Sequence, residues 1–158
     1  MTAYKIQLFL HVLAVVVGMG STFALPFLQA FAERQGVAAT RFAMQFSRRL
    51  ENMVIVPGAI LLFLFGLGLI FDDTTGYKDD MPGWLMIAVA WYIVVFIVAA
   101  TVQRKNVTDA MRVLDSTPDG PTLPAEYVAV SKRIQMVGGL LGLSIVGIAF
   151  LMVYKPGQ

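Results

Sequence analysis

Long apolar runs and short polar segments alternate four times along the chain. The runs extend over Ile6–Phe31, Met53–Phe71, Trp84–Val102 and Ile134–Tyr154. Each is close to the roughly 20 residues that a helix needs to cross a hydrocarbon core. A backbone in lipid must satisfy its own hydrogen bonds, so all four runs are predicted to be helices. Two of the polar segments carry helical periodicity as well. In Ala39–Met53, Phe42, Phe46, Leu50 and Met53 recur at helical spacing opposite Arg41, Arg48 and Arg49. This predicts an amphipathic helix that runs along the headgroups and then turns into the second span. Asn106–Leu114 is predicted to continue the third span, with Val107, Met111 and Leu114 on one side. The proline- and glycine-rich stretch Ser116–Pro124 breaks that helix, and Pro124 suits the first turn of a long fourth one. The expected fold is all-α: an integral membrane four-helix bundle with helical extensions on one side, forming a single transmembrane domain over residues 1–158.

Composition makes lipid the solvent. Hydrophobic residues are 58% of the chain and charged residues only 14%, against about a quarter charged in soluble domains. Such a chain has too few polar groups to coat a water-facing surface. The basic residues are sorted by loop. Arg34, Arg41, Arg48 and Arg49 lie between the first two runs, and Arg104, Lys105, Arg112, Lys132 and Arg133 between the last two. The loop between the second and third runs holds Asp72, Asp73, Asp79 and Asp80 against Lys78 alone. Basic loops stay cytoplasmic, so both termini and the acidic loop are expected on the outer side. With a net charge of only +2, the basic residues report topology and not a nucleic-acid surface. Cysteine is absent, which excludes disulfides, thiolate metal sites, iron–sulfur clusters and a cysteine nucleophile. Only Lys5 precedes the first run and no small-x-small cleavage site follows it, so that run is expected to be retained as a span.

Helices in lipid associate where small residues let backbones approach. In the first span His11, Ala14, Gly18, Thr22 and Leu25 follow at steps of three or four, and in the fourth Gly138 and Gly142 form a small-xxx-small pair. Spans one and four are therefore expected to pack closely. His11 is the one histidine and the one ionisable residue well inside a span. Ionisable residues there are costly and mark functional positions. Neutral imidazole is a ligand for haem iron or a transition metal and a proton carrier. The competing assignment is a packing histidine bonded to a neighbouring helix through Ser21, Gln135 or Ser144. Met19, Met86, Met136 and Met152 lie within spans but form no paired thioether cluster for Cu(I), and read as apolar filler. The acidic loop offers hard oxygens for a divalent cation, but a solvated loop kept outside by its lack of positive charge explains it better. No serine–histidine–acid set, phosphate loop or metalloprotease motif occurs, which disfavours hydrolytic and nucleotide-driven functions.

The order of several short motifs resembles a bacterial family of predicted integral membrane proteins, grouped with copper resistance D-like proteins and the four-helix protoporphyrinogen oxidase of haem synthesis. The motifs are Leu10-His11, Pro57-Gly58 followed by Gly66, Gly83-Trp84, and the terminal Met152-Val153-Tyr154-Lys155-Pro156. The resemblance covers Tyr4–Pro156. In the first span His11, Phe23, Leu25, Pro26 and Leu28 fall where the oxidase has its histidine and a Phe-x-Leu-Pro-x-Leu segment. The oxidase's functional lysine after the Gly-Trp of its third helix has no counterpart between Trp84 and Gln103. The resemblance thus implies the scaffold, a bacterial inner-membrane location and a porphyrin or metal site at His11, without carrying over the oxidase reaction.

Three functions follow for testing. The first is binding of haem b, another porphyrin or copper through His11. The alternative is a non-catalytic accessory or assembly subunit of a larger membrane complex or homo-oligomer. The third is a small-solute or metal-ion permease, for which the polar residues within the spans are sparse.

Overall fold

The computed structural model describes residues 2–157 and is all-helical. Four long helices make the bundle: α1 (Ala3–Glu33), α2 (Val37–Ile70), α3 (Gly83–Asp115) and α4 (Ala125–Tyr154). They hold 30 to 34 residues each, about 45–51 Å at 1.5 Å per residue. A hydrocarbon core is about 30 Å thick, so every helix reaches well beyond it. The excess lies mainly at the end that carries the two basic loops, called here the basic end. The acidic loop and both termini share the opposite, acidic end.

The expected extension of α3 through Leu114 is present, since the helix runs unbroken to Asp115. The segment before the second span differs from expectation. It does not turn at the membrane but continues as one helix from Val37, through the π-helical turn Glu51–Ile55, into the span. Pro57 lies just beyond that turn and offers no N–H to the carbonyl one turn back. Widening the helix ahead of the proline keeps the backbone continuous where a break would strand polar groups. Similar π-helical turns occur at Val15–Met19 in α1 and Ala99–Gln103 in α3. Pro124 is the N-cap of α4, one position ahead of the first turn expected for it.

Burial is concentrated at the basic end. Val37, Thr40, Leu114 and Tyr127 are the largest fully buried side chains, and Met44 and Ala110 form one cluster with Val37, Leu114 and Tyr127. Within the spans at most 17% of any apolar window is buried. The contrast follows from the solvent. Where water surrounds the helices, burying a Val or Leu side chain is worth about 1.5–3 kcal/mol. In lipid that driving force vanishes and close backbone approach replaces it.

That close approach joins α1 to α2, and not α1 to α4 as the small-residue pattern suggested. A Cβ added at Gly58 would stand 2.7 Å from the Gly18 Cα. The glycines of α4 serve mainly α3: a Cβ at Gly147 would meet the Trp91 ring at 2.6 Å, and one at Gly138 the Gln103 amide at 3.3 Å. Gly142 has only the Phe23 ring of α1 within reach, at 3.9 Å. Small residues on two helices show that each has a narrow seam, but not which seams meet. The bundle is two hairpins, α1–α2 and α3–α4. In the spans they are tied by Tyr92 of α3, whose hydroxyl donates to the Ala59 carbonyl at 2.7 Å.

Candidate functional site

The face that α1 turns to α2 carries two polar residues of its outer half, Gln7 and His11. Gln7, His11, Ala14 and Gly18 succeed one another at steps of three or four, which places them on one stripe. Opposite them α2 sets residues with little or no side chain. A Cβ at Gly68 would meet the Gln7 amide oxygen at 3.1 Å, and one at Gly66 would meet the His11 Cε1 at 3.1 Å. The imidazole therefore lies against the α2 backbone, and its Nδ1 is 3.0 Å from the Leu62 carbonyl oxygen. A carbonyl only accepts, so Nδ1 carries the proton and donates. The lone pair is left on Nε2.

None of the three expected partners holds His11. Ser21 donates to the Val17 carbonyl of its own helix, and Gln135 reaches Ser131. Thr22 likewise returns its hydroxyl to the Met19 carbonyl. Ala14, one turn on from the histidine, is buried in a cluster with Met19, Ala59 and Leu62. Sequence reasoning missed Gln7, whose buried amide oxygen has no partner. Its spacing one turn from His11 was the available signal.

Two further polar clusters lie outside the spans. At the basic end the first acid after the apolar run of α1, Glu33, gathers the start of α4. Its Oε1 accepts from the Tyr127 hydroxyl at 2.8 Å, from Ser131 at 2.7 Å and from the Gln29 amide at 3.5 Å. Burial pushes the Tyr127 hydroxyl well above the usual tyrosine range, and the neighbouring carboxylate adds to the shift. Beside it Arg41 of α2 donates to the Leu114 carbonyl from Nε and Nη2, at 3.2 and 2.9 Å, and to the Thr117 carbonyl at 2.7 Å. It also pairs with Asp119 at 2.7 Å. Arg41 is thus a cap for the C-terminal carbonyls of α3.

The acidic end brings together two sequence motifs that are far apart in the chain. Trp84, at the start of α3, is buried, and the Lys155 ammonium after α4 lies 5.7 Å from its ring centroid. Trp84 is therefore a packing residue. In the acidic loop Asp72 accepts from the Thr74 backbone and hydroxyl, which holds its carboxyl below the usual range. Asp73 faces Lys78 at 3.7 Å. Among the described residues no group of three or more His, Asp or Glu is placed to hold a metal ion.

Residues 5–156 match the family model described as "Predicted integral membrane protein (DUF2269)". The chain belongs to this family. The match takes in all four long helices, and with them the His11 stripe and the cluster at Trp84 and Lys155. No curated protein and no solved structure matches the chain.

Proposed function

We propose that this membrane protein binds haem b or a related porphyrin through His11, in a bundle whose basic end faces the bacterial cytoplasm. The observation that carries the reading is the hydrogen bond from Nδ1 to the Leu62 carbonyl. Ligating histidines usually donate their second ring nitrogen to a carbonyl or carboxylate, which fixes the tautomer and raises ligand basicity. His11 has that arrangement, within an apolar site. The resemblance of its surrounding motif to the first helix of the four-helix protoporphyrinogen oxidase supports the same assignment.

The donor set fits a porphyrin better than a bare copper ion. A porphyrin supplies four nitrogens itself and needs one imidazole as an axial ligand. Copper would need two or three protein ligands. The nearest thioether on the same helix, Met19, is eight residues away, about 12 Å along the axis. When bound, haem would supply one-electron redox chemistry. The chain's part is to orient the imidazole through Leu62, make room for the ring itself with Gly66 and exclude water with Ala14 and the Leu62 side chain.

The test is the visible spectrum of protein purified in mild detergent, oxidised and reduced, with and without added haemin. A Soret band that is present in the wild type and lost in His11→Ala is expected. Protein that is colourless and takes up no haemin, while remaining folded, overturns the reading and leaves His11 as a packing residue.

A further inference from the structure

At the basic end a hollow of about 150 Å³ opens beside the Glu33 cluster, lined by Glu33, Tyr127, Ser131, Lys132 and Gln135 among others. This is far more than the 10–15 Å³ that admits one water. Two opposite charges face it without meeting. Glu33 and Lys132 form no ion pair among the described residues. The three hydrogen bonds to Glu33 all fall on Oε1, so its second oxygen has acceptor capacity to spare. The height of the hollow is set by the sequence. Glu33 is the first charged residue after the apolar run of α1, and Lys132 and Arg133 immediately precede that of α4. The hollow therefore lies at the membrane boundary, at the level of lipid headgroups.

We infer that this hollow is a binding site for a zwitterionic aminophospholipid headgroup, with the primary ammonium on Glu33 and the phosphate on Lys132. The chemistry selects among lipids. A primary ammonium donates charge-assisted hydrogen bonds to a carboxylate, whereas a trimethylammonium has no N–H to give. A headgroup lacking the amine satisfies Lys132 and leaves Glu33 facing an anion. The acyl chains would run along the exposed apolar side of α4, where Met136, Leu140 and Leu143 are 61–70% exposed.

Native mass spectrometry of the detergent-solubilised full chain tests this, with phosphatidylethanolamine, phosphatidylcholine and phosphatidylglycerol added in turn. Phosphatidylethanolamine is expected to bind on the order of tenfold more tightly than either other lipid, the scale of one charge-assisted hydrogen bond. Glu33→Gln, which keeps an oxygen for Tyr127 and Ser131, and Lys132→Gln are each expected to remove that preference. Free phosphoethanolamine separates the sources. If it displaces the lipid at millimolar concentration, the hollow recognises the headgroup by itself. If it fails to compete while the lipid preference persists, recognition needs the chains as well; both outcomes support a lipid site. Equal binding of the three lipids, or a preference unchanged in both variants, overturns it.

Discussion

Gly58 shows how little room the spans leave. A methyl group there would stand 2.7 Å from the Gly18 Cα, and backbone cannot swing aside as a side chain does. Gly58→Ala should therefore force α1 and α2 apart, at a cost of about 1–3 kcal/mol. A lowered thermal midpoint in detergent would register it. Gly20→Ala is the internal control, because a Cβ there meets nothing within 4 Å, and it should leave the midpoint unchanged. His11 is governed by the same geometry, since its ring rests where Gly66 has no side chain. That explains what could and could not be read from the sequence at this scale. A lone histidine in an apolar run declares itself by its cost in lipid. Its partner is a main-chain carbonyl, which no residue type advertises.

Among the elements, the first turns of α2 hold the two hairpins together outside the membrane. Arg41 binds the end of α3 with three donors at once, and its side chain is only 25% exposed. Arg41→Ala should destabilise the packed basic end by about 1–3 kcal/mol, the cost of leaving such carbonyls unpaired. Arg41→Lys should not restore it, because a single ammonium lacks the planar fork that spans two carbonyls and a carboxylate. Amide hydrogen exchange in the last turn of α3 should accelerate in both variants; unchanged exchange would remove Arg41 as a cap. The amphipathic pattern of this segment was visible in the sequence, but its packing face was not. The conspicuous apolar residues Phe42, Phe46 and Met53 stay 46–76% exposed, whereas Val37, Thr40, Ala43 and Met44 are buried. The buried face includes a threonine, and Arg41 beside it finds its partners 73 or more positions away in the chain. Periodicity alone therefore could not choose between the two faces.

On the scale of the whole molecule, membrane residence was the most legible property and helix pairing the least. Four apolar runs separated by loops of contrasting charge require a bundle. Which helices touch depends on matching seams three-dimensionally, as Gly18 with Gly58 demonstrates. The inferred orientation has a direct test, made simple by the absence of native cysteine. A single cysteine introduced as Asp79→Cys should react with a membrane-impermeant maleimide in intact cells. One introduced as Ser116→Cys should react only after the membrane is opened. The reverse pattern would place the basic end outside.

The concentration of fully buried side chains at the basic end means that two different media hold one chain together. Val37, Leu114 and Tyr127 come from three helices and are sequestered from water, so chaotropes that solvate apolar and peptide groups attack that end first. The glycine seams between the spans answer instead to whatever replaces the bilayer, since an amphiphile that wedges between helices competes directly with their van der Waals contact. A harsh, short-chain detergent thus leaves the water-driven end clasped while the spans loosen, and urea at low concentration does the converse. The molecule has a soft half and a firm half, and the reagent decides which is which.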